Sequence, residues 1–334
     1  MEEKPYRVVV CTAVPKLKGM TFRESETRAK RDIDWQSSFD ELKSLVESYG
    51  GQIVGEIVQK VEKPNTAYFL GKGKIEELKK MVTEQKANVI VFDSQLSTTQ
   101  LRNITNLTGA EVLDREYLII KIFAQRAYTL EGKFQVELAE QRYRLSKLIG
   151  MGKEMSQLGA KLGTRGPGEQ KIEEKRRHLK EKIRSIERKL NEIRNTREIQ
   201  RLSRKKKGIK EISLIGYTNS GKSTLLKAMT KENVKIENKL FSTLDTRVGS
   251  ISINTYNHSD KILVADTVGF IRYIPHSLIE AFKSTLEEIL FSDALLYVID
   301  ATWDWDVQIQ TIDSVLDEIS NKNNKKPKIF AFNK

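Results

Sequence analysis

The sequence predicts an α/β multidomain protein, with an N-terminal α/β domain (1–125), an antiparallel helical hairpin (126–207) and a doubly wound α/β domain (208–334). Three observations support this. In both outer segments, short β-branched apolar runs alternate with runs of helical period, which is typical of parallel sheets. In the middle segment, two apolar seams of helical spacing flank a glycine-rich stretch. That middle segment also carries the chain's excess positive charge.

In the N-terminal domain, apolar and β-branched runs predict strands, and amphipathic runs predict helices. The helix over 35–49 has a clear stop signal, because Gly50 and Gly51 follow its last apolar residue. The alternation predicts a mainly parallel sheet. The expected strands cover 6–11, 52–61 and 88–92, and the other expected helices cover 75–85 and about 98–107.

The hairpin is predicted from apolar residues spaced three and four apart, a pattern with which each helix buries its seam against the other. The second seam is Leu179, Ile183, Ile186, Leu190 and Ile193, and the first is Phe134, Leu138, Gln141, Leu145 and Leu148. Six glycines and Pro167 predict that the connection, residues 150–168, is irregular. We interpret it as a basic tip that approaches phosphates or bases, with a disordered linker as the alternative.

The positive charge is confined to one quarter of the chain. Residues 126–207 hold 24 Lys and Arg against 11 Asp and Glu, an excess equal to the net charge of +13 for all 334 residues. Such a segment is the footprint expected of a surface for RNA, DNA or an anionic membrane. A solvated pair of charged helices is the alternative.

Composition narrows the class of protein. With 39% hydrophobic and 31% charged residues, the chain can form buried cores, and no apolar run approaches the roughly 20 residues of a membrane span. The first five residues do not resemble a signal peptide, and the single cysteine, Cys11, fits a reducing compartment. We expect a cytoplasmic protein without a membrane span, monomeric when free. Peripheral association with a membrane remains an alternative for the basic segment.

A phosphate-binding loop is predicted where an apolar strand (211–215) runs into a helix that begins at Lys222. The Gly-x-x-x-x-Gly-Lys-Ser spacing turns backbone amides toward phosphate oxygens at a helix N-terminus. Lys222 is expected to neutralise the β- and γ-phosphates and Ser223 to bind Mg²⁺. The predicted nucleotide-binding residues here are Gly216, Tyr217, Thr218, Asn219, Ser220, Gly221, Lys222, Ser223 and Thr224.

The second half of the predicted site follows a buried strand that ends at Asp266. We expect Asp266 in the second shell of the metal and the Gly269 amide at the γ-phosphate. Thr243 is the preferred second metal ligand, supplied by a mobile loop when a γ-phosphate is present, and Thr246 competes for this role. Lys222, Thr243 and Gly269 are the expected catalytic residues. The nucleotide-binding set also includes Phe241, Ser242, Thr243, Leu244, Asp245, Asp266, Thr267, Val268 and Gly269.

The remaining elements complete a doubly wound sheet. A strand pair is expected over 248–254 and 261–266, strands over 294–300 and 328–332, and helices over 275–290 and 307–319.

Asn333 and Lys334 look like the first half of the Asn-Lys-x-Asp guanine motif. We expect that this domain is C-terminally incomplete or departs from the pattern. Phe270 stands where many GTPases carry the glutamine that orients water, so intrinsic hydrolysis should be slow and a partner should accelerate it.

These residues resemble the HflX-type GTPases, a family that associates with ribosomes. Segments outside the phosphate-binding loop carry the resemblance as well, above all residues 163–169. The matching segments are 216–224, 241–245, 266–271, 69–74, 112–115, 135–148 and 163–169.

The resemblance implies GTP as substrate, Mg²⁺ as cofactor, and a helical subdomain that enters the large ribosomal subunit near the peptidyl transferase centre. It also implies that the family splits or rescues ribosomes under control of the GTP state. The expected contacts with ribosomal RNA are Lys153, Lys161 and Arg165. A second, adenine-nucleotide site is implied in the N-terminal domain, where Gly71, Lys72, Gly73 and Lys74 could hold phosphates. A turn that begins a helix is the other interpretation of this motif.

Two other functions remain open at this point. The chain could be an RNA- or ribosome-binding module whose incomplete GTPase domain is inactive. It could also remodel RNA through ATP hydrolysis in the N-terminal domain.

Overall fold

The computed structural model describes residues 6–15, 22–159, 167–230, 240, 241, 243, 247–254, 259–272, 276–282, 286, 289–320 and 326–334. Contacts group the chain into two compact units. Unit 1 comprises residues up to Ile122 together with Arg142–Glu181, and unit 2 comprises Phe123–Gln141 and Lys182–Lys334. The division into three domains stays a prediction.

Unit 1 contains a four-stranded sheet in which every neighbouring pair is parallel, as the alternation of strands and helices predicts. The strand order is β2-β1-β3-β4. The strands are β1 (Tyr6–Pro15), β2 (Gly51–Val61), β3 (Val89–Phe92) and β4 (Glu111–Asp114), and the helices between them are α1 (Phe22–Tyr49), α2 (Lys72–Glu84) and α3 (Thr98–Thr108). The four-residue β4 is not among the strands that the sequence predicts.

The core of unit 1 lies against this sheet. Ile57, Leu78, Ile90, Phe92 and Ile104 are all fully buried, and they belong to two strands and two helices. Each such side chain contributes about 1.5–3 kcal/mol when it leaves water, so the apolar strands account for the stability of the sheet.

A buried carboxylate anchors the middle of the chain to the end of β4. Asp114 is fully buried, and its Oδ2 accepts hydrogen bonds from Lys147 Nζ at 2.8 Å and Tyr143 OH at 3.1 Å. Lys147 Nζ also donates to the carbonyl of Leu96 at 2.6 Å. Two residues of the following helical segment are thus held at the carboxyl end of a strand.

The helical segment is divided into α4 (Arg115–Arg126), α5 (Leu130–Gly159) and α6 (Pro167–Lys206). The expectation of an irregular connection over 150–168 is therefore wrong for its first half, where α5 continues to Gly159. Gly150 and Gly152 each cost roughly 1 kcal/mol in a helix. The intervening Met, Lys, Glu, Gln and Leu residues are good helix formers, and they outweigh those glycines.

The predicted antiparallel arrangement is present where α5 and α6 both belong to unit 2. Lys182 pairs with Glu137 at 2.8 Å, and Arg197 pairs with Glu131 at 2.6 Å. Lys189 Nζ lies 4.9 Å from the ring centroid of Phe134. Residue numbers rise along one helix as they fall along the other, so the helices run in opposite directions. Of the second predicted seam, which lies on α6, Ile183 and Ile186 are buried.

Unit 2 contains a five-stranded sheet of order β6-β7-β5-β8-β9. Its strand pairs are parallel except for β6 with β7, which are antiparallel. The predicted α/β class is confirmed. The strands are β5 (Lys210–Ile215), β6 (Arg247–Asn254), β7 (Ser259–Asp266), β8 (Ala294–Asp300) and β9 (Lys328–Asn333), and the helices are α7 (Lys222–Thr230), α8 (His276–Ala281) and α9 (Trp305–Ser320).

Candidate active site

The phosphate-binding loop joins the carboxyl end of β5 to the first residue of α7, as predicted. Gly221 has a φ of +98° and Asn219 a φ of +62°, left-handed conformations that glycine and asparagine adopt most readily. A Cβ at Gly216 would collide with the carbonyl oxygen of Val298 and lie 2.8 Å from Ser220 Oγ. The sequence pattern therefore places glycines where the backbone turns and where it is crowded.

Lys222 is folded back over this loop. Its Nζ donates to the carbonyl of Gly216 at 3.0 Å and to that of Tyr217 at 2.7 Å. Burial lowers the pKa of Lys222 from its usual 10.5 to about 8, and the charge of Asp266 opposes this shift. Burial removes the water that solvates this ammonium group, and a bound phosphate would stabilise its charge again. A cation held in this position therefore favours an anionic ligand.

Three oxygen-bearing side chains converge beside Lys222. Ser223 Oγ donates to Asp266 Oδ2 at 2.6 Å, Thr243 Oγ1 donates to the same atom at 3.0 Å, and the two hydroxyls lie 2.8 Å apart. Asp266 is fully buried, and its Oδ1 has no hydrogen-bond partner among the described residues. Hydroxyl and carboxylate oxygens suit Mg²⁺, so this arrangement fits the metal that the motifs imply.

The segment after Asp266 is tied to the phosphate-binding loop through its backbone. The amide of Phe270 donates to the carbonyl of Gly216 at 3.0 Å, and the amide of Thr218 donates to the carbonyl of Phe270 at 2.7 Å. A Cβ at Gly269 would lie 2.8 Å from Thr218 Cα, so this close approach requires glycine. The Phe270 side chain is 1% exposed and contributes to the core.

Asn333 and Lys334 reach the same edge of the sheet. Asn333 Nδ2 donates to the carbonyl of Ser220 at 2.9 Å and also closes over Gly221. Lys334 Nζ pairs with Asp300 Oδ2 at 2.7 Å. Asp300, at the end of β8, is a site neighbour that sequence reasoning missed, although its position after an apolar strand was a usable signal.

Aromatic contacts that the sequence did not indicate border this site. The ring of Tyr217 lies 4.9 Å from that of Trp303, and the Arg272 guanidinium lies 5.1 Å from the Trp303 ring centroid. The phosphate-binding loop and the segment after Asp266 thus share one aromatic neighbour.

The structure brings together the predicted residues on the phosphate-binding loop, Thr243, Asp266, Gly269 and the Asn333-Lys334 pair. The roles assigned to these residues stay predictions. Several others lie outside the described residues: Ser242, Leu244, Asp245, Thr246, Lys161 and Arg165. Lys153 lies on α5, but its side chain is also outside the described part.

The glycine-lysine motif of unit 1 begins a helix. Gly71 is the N-cap of α2, and its amide donates to Gln59 Oε1 at 2.9 Å. Lys74 Nζ pairs with Glu77 at 2.7 Å. The motif thus has the geometry of a turn that begins a helix, and adenine-nucleotide binding stays a prediction.

The doubly wound sheet and the loop that ends in Lys222 and Ser223 define unit 2 as a P-loop GTPase domain. Three family models match the chain in sequence order: "GTP-binding GTPase N-terminal" over residues 36–124, "GTP-binding GTPase Middle Region" over 126–204 and "50S ribosome-binding GTPase" over 211–334. The protein belongs to the HflX family of GTPases, and the enzyme class predicted from the sequence is thereby confirmed.

Relatives and a solved structure support this assignment. The GTPase HflX of Caldanaerobacter subterraneus is 43% identical over 90% of this chain and 69% of its own length. The HflX proteins of Lacrimispora saccharolytica and Escherichia coli are 45% and 41% identical over 80% and 84% of this chain, and over 63% and 65% of their own lengths. The chain therefore spans about two thirds of these relatives. The crystal structure of SsGBP with GDP is similar with a TM-score of 0.53 and 27% identity, covering 98% of this chain and 82% of that one.

Within the described residues, no helix combines the length and the apolar character needed to cross a bilayer.

Proposed function

We propose that this chain binds GTP with Mg²⁺ in the site between α7 and β7, hydrolyses it slowly when free, and acts on the large ribosomal subunit to split or rescue stalled ribosomes. The observation that carries the nucleotide part is the convergence of Ser223, Thr243 and Asp266 beside a buried Lys222. The family membership supports the ribosomal part, since the model that matches residues 211–334 describes a 50S ribosome-binding GTPase.

Each residue of this site has a distinct proposed role. Lys222 moves from the loop carbonyls to the β- and γ-phosphates, and the loop amides hold the phosphate oxygens. Ser223 and Thr243 bind Mg²⁺ through their hydroxyls, while Asp266 holds water molecules of the metal. The Gly269 amide donates to the γ-phosphate. Because Thr243 joins the metal only when a γ-phosphate is present, the site distinguishes GTP from GDP.

Slow intrinsic hydrolysis follows from Phe270. Its hydrocarbon side chain has no atom that accepts a hydrogen bond from water. The side chain is also buried, so it cannot reach the nucleotide without leaving the core. A general base or a water-orienting group must then come from elsewhere, and we propose that the ribosome supplies or orders it.

The basic hairpin is the proposed contact with ribosomal RNA. Residues 126–207 carry the whole excess of positive charge, and the solvent side of α6 is rich in exposed Lys and Arg. Lysine and arginine near phosphates release counterions, so binding should weaken steeply as salt rises. Lys153, Lys161 and Arg165 are proposed to reach the RNA from the end of the hairpin.

Co-sedimentation tests this function directly. Large ribosomal subunits are pelleted with the chain in the presence of GDP or a non-hydrolysable GTP analogue, from ~50 to ~200 mM salt. We expect tighter binding with the analogue, lost in Lys222→Ala, and an affinity that falls steeply with salt. Binding whose affinity depends on neither the nucleotide nor the salt concentration would exclude a GTP-controlled contact with RNA. Binding equal in Lys222→Ala and wild type would favour a module whose GTPase domain is inactive.

A further inference from the structure

One aromatic side chain outside the nucleotide motifs touches two segments of unit 2, one of which leads to Thr243. Phe123 lies near the end of α4 and is 4% exposed. Its ring meets that of Phe241 edge to face, with centroids 4.5 Å apart and an interplanar angle of 84°. It meets the ring of Phe282 in the same way, at 4.8 Å and 73°. All three residues belong to unit 2.

Phe241 connects this cluster to the metal ligands. It precedes Thr243 by two residues, is 3% exposed, and has a φ of +56°. This left-handed conformation is costly for a bulky residue and persists only where surrounding contacts hold it. The Phe123 ring is one of those contacts. It therefore helps to fix the backbone that leads to Thr243.

Phe282 connects the cluster to the end of α8. It follows α8 directly, and its amide donates to the carbonyl of Leu278 at 2.9 Å. This helical segment comes after the residues that run from Asp266 to Phe270. Edge-to-face aromatic pairs contribute beyond their buried area and fix the relative orientation of the rings. Phe123 therefore packs between the segment that carries Thr243 and the segment that follows Asp266.

We propose that Phe123 is a positioning residue of the GTPase site, which holds Phe241 so that Thr243 stays within reach of Ser223 Oγ and Asp266. The proposal rests on the GTP-binding site described under the proposed function and extends it to a residue that carries none of the nucleotide motifs. It predicts a selective effect. Thr243 meets the metal only in the triphosphate state, so loss of Phe123 weakens GTP binding and leaves GDP binding unchanged.

The test compares two nucleotides on the full chain, without ribosomes. Fluorescent GDP and a fluorescent non-hydrolysable GTP analogue are titrated in excess Mg²⁺ against wild type, Phe123→Ala and Ile312→Ala. Ile312 is fully buried on α9 and is the matched control for lost core packing. We expect Phe123→Ala to lose about tenfold in affinity for the analogue and to keep its affinity for GDP. Ile312→Ala should keep the nucleotide preference of wild type, even where its melting temperature falls as far.

Phe123→Leu is the second variant, because it keeps most of the volume and removes the ring. It should fold where Phe123→Ala does not, and a loss of preference for the analogue supports the proposal. An unchanged preference in the folded Phe123 variants overturns it, and so does an equal loss in Ile312→Ala. A wild-type chain without any preference for the triphosphate would overturn it too. None of these results depends on binding to large subunits, so failure of the ribosomal function is distinguished from failure of this proposal.

Discussion

At the scale of single residues, Lys222 shows how burial prepares a site for its ligand. The ammonium group has left water and is compensated only by two carbonyl oxygens and the nearby charge of Asp266. Burial of a cation lowers its pKa, and a bound phosphate raises it again. The same lysine therefore loses its proton more readily in the free chain than in the complex.

Nucleotide affinity should consequently depend on pH above neutrality. The pKa of Lys222 in the free chain is about 8, and a bound phosphate holds it higher. Affinity is then full below pH 8 and falls as pH rises through 8, by up to about tenfold per pH unit, since the free lysine must regain a proton to bind. Titration of fluorescent GDP from pH 7 to pH 9.5 measures this.

Lys222→Arg is the control, because an arginine keeps its charge throughout this range. Its affinity is lower but should not change across pH 8. A wild-type affinity that is flat between pH 7 and pH 9.5 would contradict the assignment of the low pKa to the group that meets the phosphate.

The positions of residues whose chemistry depends on local spacing could be predicted from the sequence. The positions of Lys222 and Ser223 follow from eight consecutive residues, and that of Asp266 follows from one buried strand. The contact of Asn333 with Ser220 spans 113 residues and arises because β9 pairs with β8. The Phe123 cluster likewise depends on packing among α4, the segment around Phe241 and the turn after α8. No periodicity in the sequence encodes such contacts.

At the scale of the secondary-structure elements, the anchor of α5 is the most informative feature. Asp114 lies at the end of β4, accepts hydrogen bonds from Lys147 and Tyr143, and also accepts from the amides of Leu96 and Tyr117. A buried ion pair is costly to break from one side, because the remaining charge stays without compensation.

The two sides of this pair should therefore differ on mutation. Asp114→Ala leaves the Lys147 ammonium poorly compensated, and we expect the free energy of unfolding to fall by about 3–5 kcal/mol. Lys147→Met should cost clearly less, since Tyr143 and two backbone amides still satisfy the carboxylate. Urea unfolding followed by circular dichroism measures both variants. Equal losses below about 1 kcal/mol would identify the pair as a surface-like contact.

The end of the hairpin supports a separate prediction about RNA. Replacing Lys153, Lys161 and Arg165 by Gln should weaken binding to large ribosomal subunits and reduce the slope of log affinity against log salt by about 2–3. The matched control is the triple Gln variant of Lys79, Lys80 and Lys86, three exposed lysines of unit 1. An unchanged slope in the first variant, or the same change in both, would remove these residues from the RNA contact.

Element boundaries were less predictable than element types. The strands of the doubly wound sheet and its last helix follow from long apolar patterns, and the structure reproduces them within a few residues. Of the helix expected over 275–290, the structure describes α8, which ends at Ala281. In contrast, β4 has only two apolar residues between two acidic ones, whereas the equally short β3 is apolar throughout. The helical course of residues 150–159 depends on a sum of propensities, in which the good helix formers between the glycines decide the outcome.

At the scale of the whole molecule, charge and chemistry are divided along the chain. The phosphate-binding loop, the proposed metal ligands and the Asn333-Lys334 pair belong to unit 2, and the excess positive charge belongs to residues 126–207. The helix α4 ends in unit 2 with Phe123 against the segment that leads to Thr243.

The most direct test of the central claim is the rate of GTP hydrolysis with and without purified large ribosomal subunits. The chain alone should turn over slowly because Phe270 cannot orient water, and large subunits should raise the rate by at least about tenfold. Lys222→Ala should abolish both rates. A rate that is the same with and without large subunits would contradict the account, as would nucleotide hydrolysis that persists in Lys222→Ala.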